Sequence, residues 1–557
     1  MNDPSPKIQR VLISVTDKTG IIPFARALAE EFGAEIISTG GTARVLAAEG
    51  IPVRPIDELT GFPEMMDGRL KTLHPRVHGA LLARRDLPEH LEQARQHDIA
   101  LIDMVVVNLY AFEFAAASGA PYGEVIENID IGGPAMLRSA AKNHAALAVV
   151  TDPDSYDEIL AEMRDHDGAI TLATRQRLAL QVFRLTSAYD NAIFNWLEQE
   201  LNGRDPLSGE RRLFLQKQAD LRYGENPHQR AAFYLNSTTN PSANSTTNPA
   251  SNSSASRGLA PAANPSAGSQ TGIQEAWQLA RARQLQGKEL SYNNYLDLDA
   301  AWTAVREFAE PAAVIVKHLT PCGIACNDSL TQAYQRAWAS DPTSAFGGVM
   351  AFNRELPAEL VQAIAKNGQF VEAIVAPGFA PAALELLKDK PNLRVLETGG
   401  VNPAGGVLEY RSVEGGVLVQ TADAVVEDPA LFSVPSVAQP TPEQIDELLF
   451  AWKAAKSVKS NAIVISKGRA TIGIGAGQPN RVNAAELAVR QAGPVAEGAV
   501  AASDAFMPFA DSLEVLAAAG VRAVIQPGGS VRDAEVIAAA DAAGIALVFS
   551  GQRHFRH

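Results

Sequence analysis

The sequence predicts an α/β protein of more than one domain, and three observations carry that reading. The first two hundred residues alternate short apolar runs with helical ones. A hydrophobic run, Ala312-Ala313-Val314-Ile315-Val316, drives into Lys317-His318. A low-complexity stretch at 236–273 interrupts the chain. At 557 residues the chain exceeds the roughly 250–300 at which single cores stop growing, so several domains are expected. Its 46% hydrophobic and 20% charged residues are those of an ordinary soluble globular protein.

Arg10-Val11-Leu12-Ile13-Ser14-Val15 reads as a strand, Ile21 to Glu31 as a helix and Glu35-Ile36-Ile37-Ser38-Thr39 as a second strand. Gly41 to Glu49 is helical again, and Met104-Val105-Val106-Val107-Asn108-Leu109 is a later strand. This βαβα rhythm predicts a doubly wound parallel sheet covered on both faces. Residues 170–203 look mostly helical and bridge to the second half. Asn236-Ser237-Thr238-Thr239-Asn240-Pro241 then recurs as Asn244-Ser245-Thr246-Thr247-Asn248-Pro249, followed by Ser/Ala/Pro/Gly-rich sequence almost without large apolar residues. Such a segment buries too little surface to offset its ordering entropy, so 236–273 reads as a disordered surface insertion. Mixed α/β patterning resumes after it and runs to the end.

Composition excludes several function classes. A net charge of −15 argues against nonspecific nucleic-acid binding, and any phosphate site must be built from specific donors. Two cysteines, Cys322 and Cys326, form no disulfide framework and suit a reducing compartment. Pro321-Cys322 to Cys326 is one residue longer than the cysteine half of a zinc deaminase signature, and the His90-Leu91-Glu92 that would complete it lies far upstream in a helical, surface-like stretch. Pro75 between His74 and His78 argues against a zincin helix, so no metal is expected. No apolar stretch reaches the roughly 20 residues that span a bilayer, and Met1 to Pro6 has no apolar leader core, so a cytoplasmic protein without membrane partners is expected.

Two loops carry phosphate-binding chemistry. Ser14-Val15-Thr16-Asp17-Lys18-Thr19-Gly20 follows the first strand and opens a helix, and Ser38-Thr39-Gly40-Gly41-Thr42 repeats the arrangement after the second. Helix N-termini expose unpaired N–H groups, so hydroxyls, glycines and a lysine there suit a phosphate. Capping by Ser or Thr alone is the competing reading of either loop. Arg69 and Lys71, in Gly68-Arg69-Leu70-Lys71-Thr72-Leu73-His74-Pro75, fall on one side of an extended segment if alternation holds. In the second half, Lys317-His318 places an amine and an imidazole at the C-terminal end of a buried strand that breaks at Pro321-Cys322-Gly323, where open sheets bind ligands. A Lys that snorkels to solvent beside a hydrogen-bonded His is the competing reading.

Further segments place polar or aromatic side chains beside Gly or Pro turns: Leu221-Arg222-Tyr223-Gly224-Glu225-Asn226-Pro227-His228-Gln229, Asp341-Pro342-Thr343-Ser344-Ala345-Phe346-Gly347-Gly348, Ser457-Val458-Lys459-Ser460-Asn461-Ala462, and Ser503-Asp504-Ala505-Phe506-Met507-Pro508-Phe509. With Lys317-His318, and with the ending Phe549-Ser550-Gly551-Gln552-Arg553-His554-Phe555-Arg556-His557, they resemble the transformylase half of the bifunctional purine-biosynthesis family that formylates the aminoimidazole carboxamide ribonucleotide (AICAR) and closes it to inosine monophosphate (IMP). The Arg69–Pro75 segment, Asn108-Leu109-Tyr110, Asn128-Ile129-Asp130-Ile131-Gly132-Gly133-Pro134 and Ala140-Ala141-Lys142-Asn143-His144 resemble the same family's cyclohydrolase domain. Ala111 departs from the proline usual there, and 236–273 replaces what would be a short connection.

The resemblance implies a methylglyoxal-synthase-like N-terminal domain, residues 1–203, followed by a transformylase region of two cytidine-deaminase-like subdomains, residues 204–235 and 274–557; we place their split near 375. It implies Lys71, Tyr110, Asp130 and Lys142 around the cyclising atoms, and Ser14, Thr16, Lys18, Ser38, Thr39, Gly40, Arg69 and Thr72 on the phosphate. For formyl transfer from the cosubstrate 10-formyltetrahydrofolate it implies His318 as base, Lys317 on the oxyanion and Asn461 near the folate or formyl oxygen. Arg222 and Tyr223 would hold the nucleotide, Lys288 and Arg481 its phosphate or carboxamide, and Phe346, Phe506 and Pro508 the flat folate rings. A homodimer is implied, since the family shares this site between subunits.

Two other readings compete. Gly473-Ile474-Gly475-Ala476-Gly477-Gln478 suggests a dinucleotide-dependent dehydrogenase, although the third glycine is early and no acidic residue follows at the expected strand end. A nucleotide-binding regulatory module is the non-enzymatic alternative.

Overall fold

The computed structural model describes residues 6–63, 65–66, 69–203, 207, 209–210, 212–213, 215–236, 278–401 and 408–557. Residues 237–277, nearly all of the low-complexity stretch, therefore lie outside the described residues, as does Gly68. Two compact units divide the chain, the first reaching Gln216 and the second taking in Lys217–Leu235 and residues 278–557.

In the first unit the apolar runs become β1 (Arg10–Ser14), β2 (Glu35–Ser38), β3 (Arg54–Pro55), β4 (Met104–Val107) and β5 (Ala148–Val150). They form one parallel sheet in the order β3-β2-β1-β4-β5. Val11, Leu12, Ile13, Val105 and Val149 are fully buried or nearly so, as expected of a sheet covered on both faces. The helices that matter below are α1 (Ile21–Arg26, continued by a wider turn at Ala27–Glu31), α2 (Gly40–Ala48), α3 (Gly132–Lys142) and the long α4 (Leu172–Asn202). Strand order reverses between β1 and β4, and the crevice beyond their C-terminal ends is where such sheets bind ligands.

The second unit opens with a two-stranded ribbon, β6 (Leu215–Leu221) and β7 (Ala231–Asn236). Two larger sheets follow. The first contains β8 (Arg283–Gln286), β9 (Ala312–Lys317), β10 (Thr320–Cys326), β11 (Gly348–Phe352), β12 (Val371–Ala376) and β13 (Arg394–Glu397), in the order β10-β9-β11-β12-β13-β8. An antiparallel hairpin, β14 (Leu408–Val413) and β15 (Gly416–Thr421), precedes the second. That sheet contains β16 (Ile463–Ser466), β17 (Thr471–Gly475), β18 (Val500–Ser503), β19 (Ala523–Gln526) and β20 (Ala546–Phe549), in the order β17-β16-β18-β19-β20.

The first five strands of one sheet match the five of the other in order and direction. Each begins with an antiparallel hairpin, continues through an antiparallel neighbour and ends with two parallel pairs. Each hairpin also follows a helix that opens with a capping box, α5 (Tyr292–Val305) behind Ser291 and Asn294, and α7 (Pro442–Lys456) behind Thr441 and Gln444. A helix follows each hairpin, α6 (Leu330–Ser340) and α8 (Arg481–Ala492). The hairpin strands β10 and β17 meet edge to edge: Ala325 bridges Ala470, and Ile324 N–H donates to Thr471 Oγ1 at 3.0 Å.

Two sequence expectations need correction. A subdomain boundary near 375 would cut β12, which is hydrogen-bonded on both sides; the first sheet runs on to β13, and the second begins only at β16. The run into Lys317-His318 does not break at Pro321-Cys322-Gly323, because these residues lie inside β10. The chain reverses at His318 and Leu319, whose φ values of 52° and 64° give the two left-handed central residues of a type I′ hairpin.

Candidate active sites

A cavity of about 630 Å³ lies at the strand-order reversal of the first unit. Ser14, Thr16 and Lys18 enter it from the loop after β1, Thr39 from the start of α2, and Asn108 and Tyr110 from the segment after β4. Arg69, Lys71 and Thr72 come from the long connection between β3 and β4, and Asp130 from the turn that opens α3. Nine of the predicted residues are thus brought together from five separate stretches of chain. Ser38 and Gly40 line an adjoining cavity of about 450 Å³ that shares Lys71.

Asn108 holds the first loop: its Oδ1 accepts from the N–H groups of Thr16 (2.5 Å) and Asp17 (3.1 Å), and its Nδ2 donates to Asp17 O (2.9 Å). Ser14 Oγ and Thr39 Oγ1 lie 2.8 Å apart and tie the two loops together. Lys18 Nζ reaches back to the carbonyls of Val15 and Thr16. Thr39 precedes α2 without a side-chain cap, so the helix keeps the electrostatic character that favours an anion at its start. Gly40 has φ +28°, a backbone conformation that favours glycine, and Lys71 Nζ lies in the space a Cβ would take. Gly132 and Gly133 likewise leave room for Thr72 Oγ1 and the Asp130 carboxylate.

Asp130 is the most perturbed group in this cavity. Burial raises its pKa above the ordinary carboxylate value, and the N–H groups of Gly133 and Tyr110 offset only part of that. Its own N–H donates to Tyr189 Oη at 2.8 Å, and that hydroxyl lies 3.2 Å from Asn128 O, so α4 fixes the loop.

Several expectations change here. Residues 69–72 form turns, not an extended segment, and Arg69 pairs with Glu127, which shares the cavity. Ser38 is fully buried and donates to Ile13 O at 2.7 Å, so its hydroxyl serves the sheet rather than a phosphate. Lys142 ends the helix that Asp130 opens; ten residues at about 1.5 Å rise place it roughly 15 Å along the axis from Gly132, outside the cavity. From sequence, Asn108 has a place in a strand and in the Asn108-Leu109-Tyr110 segment but no site role, and Tyr189 has none.

In the second unit, the hairpin tip presents exposed His318 beside half-buried Lys317, whose Nζ donates to Phe346 O at 2.8 Å. The Phe346 ring is 56% exposed and faces Phe370, with ring centres 5.9 Å apart. Asp297 of α5 holds the turn by accepting from Leu319 N–H (2.7 Å) and His318 N–H (3.4 Å). One turn earlier on the same helix, Asn293 Nδ2 donates to Glu225 O at 3.2 Å, and Tyr295 stacks on Phe233. The segment bearing Arg222 and Tyr223 and the Lys317-His318 turn are therefore held by the same face of α5. Arg222 is exposed, with its guanidinium 5.2 Å from the Tyr223 ring centre. Lys288 is exposed beyond β8, and its carbonyl accepts from Gln284 Nε2 at 2.8 Å.

Strand pairing gathers a second polar group. Ile463 at the start of β16 pairs with Gly475 ending β17 and Ser503 ending β18, so Asn461, Gln478 and Asp504 meet at one end of the sheet. Asn461 Nδ2 donates to Gln478 O at 2.8 Å and its Oδ1 accepts from Arg481 at 2.8 Å. Arg481 is buried and ion-paired with the fully buried Asp504; it also donates to Ser503 Oγ at 2.9 Å. Arg481, expected at the nucleotide's phosphate or carboxamide, is thus a buried group that fixes the Asn461 amide. Phe506 and Pro508 stand partly exposed beyond β18.

The first two glycines of the 473–477 cluster have a packing cause. A Cβ on Gly473 or Gly475 would collide with the carbonyl oxygens of Ala488 or Ala484 in α8. The dinucleotide reading therefore loses its observation, since these glycines bring an edge strand against a helix. Cys322 and Cys326 are buried free thiols, pushed up to about 12 chiefly by burial, which makes them inert. Among the described residues no group of three His, Cys, Asp or Glu side chains is placed to hold a metal, and no helix is long and apolar enough to cross a membrane.

The chain is 34% identical to a solved structure titled "Crystal structure of ForH", over 34% of this chain and 99% of that one. The TM-score of 0.31 carries no fold argument. Residues 20–135 match the family described as MGS-like domain, and residues 140–491 match that described as AICARFT/IMPCHase bienzyme. The second match spans more than half of the chain, which therefore belongs to the AICARFT/IMPCHase bienzyme family of purine-biosynthesis transformylase and cyclohydrolase enzymes.

Proposed function

We propose that this chain catalyses two consecutive reactions: formyl transfer from 10-formyltetrahydrofolate to AICAR at the second unit, then dehydrative closure of the formylated nucleotide to IMP at the first. The observation that carries the reading is the convergence of Lys71, Tyr110 and the buried Asp130 with Ser14, Thr16, Lys18, Thr39, Arg69 and Thr72 on one nucleotide-sized cavity.

In ring closure, the carboxamide nitrogen attacks the formyl carbon and the resulting carbinolamine loses water. Holding the substrate in its ring-closing conformer supplies much of the acceleration. Asp130 takes the amide proton, and its raised pKa makes the carboxylate a stronger base than an ordinary aspartate. Lys71 stabilises the oxyanion from its place against Gly40. Tyr110 lies beside the reacting atoms, and the hydroxyls and cations of the first two loops hold the phosphate.

In formyl transfer, a weakly nucleophilic aromatic amine attacks the formyl carbon while His318 removes its proton. Lys317 stabilises the tetrahedral oxyanion; its ammonium keeps two further protons beyond the one on Phe346 O. N10 of the folate leaves protonated. Asn461 contributes an amide oriented by Arg481 and Gln478. Phe346, Phe506 and Pro508 grip the folate rings, Arg222 and Tyr223 the nucleotide, and Lys288 its phosphate. The active form in this reading is a cytoplasmic homodimer, which sedimentation of the purified protein would check.

The test is turnover by the intact protein, following IMP from AICAR plus 10-formyltetrahydrofolate and from the formylated nucleotide alone. IMP in both supports the reading. Nucleotide binding without IMP from either would favour the regulatory module instead.

A further inference from the structure

The last five residues carry a buried ion cluster that neither proposed reaction uses. The His554 side chain is 1% exposed and packs on Trp452 with ring centres 5.0 Å apart. Its Nδ1 lies 2.6 Å from Asp423 and its Nε2 3.3 Å from Glu427, itself buried. On the other side Lys456, from α7, sits 3.0 Å from Glu307 and 3.9 Å from Asp423, so the charged groups facing His554 are two carboxylates and, beyond them, one ammonium–carboxylate pair.

The backbone on either side of this imidazole is bonded to the Asn461 loop. His554 N–H donates to Asp504 O at 2.9 Å. Arg556 N–H donates to Ser460 Oγ at 3.1 Å, and Ser460 N–H donates to Arg556 O at 2.9 Å. Ser460 Oγ in turn donates to Asp504 Oδ2 at 2.6 Å, and Asp504 holds Arg481, which holds the Asn461 amide. One continuous set of bonds thus links the His554 cluster to Asn461.

We infer that the charged His554, enclosed by Asp423 and Glu427, locks the C-terminal tail against the Ser460–Asn461 loop and so acts as a positioning residue for formyl transfer. The inference rests on the reading of Asn461 given above. Burial alone would lower the imidazole pKa; the hydrogen bond between Nδ1 and Asp423 and the charges of Asp423 and Glu427 outweigh it and carry the value up to about 9. A folded pKa above the ordinary 6.5 means that the lock is complete below about 6.5 and is lost as pH rises through about 9.

The test compares wild type with His554→Gln and with the double variant Asp423→Asn/Glu427→Gln. Hydrogen exchange of peptides covering Ser460 and Asn461 is measured beside formyl-transfer kinetics from pH 6.5 to 10. The expected result for His554→Gln is faster exchange at Ser460–Asn461, a fall in formyl-transfer kcat of about tenfold as expected for a displaced catalytic amide, and ring closure unchanged. The alkaline limb near pH 9 should disappear in this variant. In the double variant, which keeps the imidazole and guards against misfolding of the first, the limb should move toward the ordinary histidine value. Unchanged exchange in both variants would overturn the lock itself. Faster exchange with formyl transfer and its pH profile unaltered would overturn the positioning role. Wild-type protein that ties its tail in this way yet transfers no formyl group would sink the reading of Asn461, and the role built on it, while leaving the lock visible.

Discussion

The two sheets of the second unit share one plan, and what differs between them locates the chemistry. In each, a carboxylate at the sixth residue of the preceding helix holds the hairpin. Asp297 accepts from the N–H groups of His318 and Leu319, and Glu447 accepts from Ser466 Oγ and Arg469 N–H, both at 2.7 Å. In each, a glycine of the outer hairpin strand lets the following helix approach: a Cβ on Gly323 would collide with Ala337 O, as one on Gly475 would with Ala484 O. Each hairpin also carries a lysine bonded to a carbonyl, Lys317 to Phe346 O and Lys467 to Glu497 O. The first hairpin, however, turns in two residues and places His318 at its tip, whereas the second turns through Lys467, Gly468, Arg469 and Ala470. The second sheet offers its polar group at the opposite end of the hairpin, around Asn461. The two sheets share a scaffold, and turn length and loop residues decide which sheet presents which group.

Lys317→Ala should break this comparison most strongly. Loss of one oxyanion donor predicts a fall of about 10²–10³-fold in formyl transfer, with ring closure unaffected. The matching Lys467→Ala should leave both half-reactions within about twofold, as for an exposed side chain away from the site. Equal losses from both would mean that the hairpins are not functionally distinct. Asp130→Asn extends the comparison to the first unit: ring closure should fall by about 10²-fold, as for loss of a general base, with formyl transfer intact.

Gly323→Ala and Gly475→Ala should each destabilise the second unit by about 1–3 kcal/mol, because helix and strand must part to admit a methyl group. Paired thermal melts would show this, and a large difference between them would undo the claim of equivalent packing. A smaller loss than for Lys317→Ala or Asp130→Asn is expected from Asp297→Asn, which weakens the bonds to two turn N–H groups at about 1 kcal/mol and should reduce formyl transfer several-fold. Glu447→Gln, its counterpart, should alter stability alone.

Much of this was legible in the sequence. The strands after Arg10, Glu35 and Met104 and the two Ser/Thr/Gly loops announce themselves by period and by turn residues, and their side chains meet because parallel strands deliver all their C-terminal loops to one edge. What escaped depends on partners distant in sequence. His318 and Leu319 carry no turn signature, since neither is Gly, Asn or Asp, yet Asp297 from the helix before stabilises their left-handed backbone. Arg481 reads as an open cation until Asp504 arrives from another strand. Lys142 reads as part of the Asp130 motif because sequence nearness hides the length of a helix. Ser38 and Thr39 read alike in sequence, yet Ser38 ends β2 and donates to Ile13 O, whereas Thr39 precedes α2 and meets Ser14 Oγ.

The central claim is that one chain carries two independent sites. It is tested most directly by complementation with two inactive variants. Lys71→Ala protein, given AICAR and 10-formyltetrahydrofolate, should accumulate the formylated nucleotide, and later addition of Lys317→Ala protein should convert that nucleotide to IMP. Accumulation followed by IMP is the predicted result. Failure of folded Lys71→Ala protein to formylate AICAR, or of folded Lys317→Ala protein to close the ring, would contradict it.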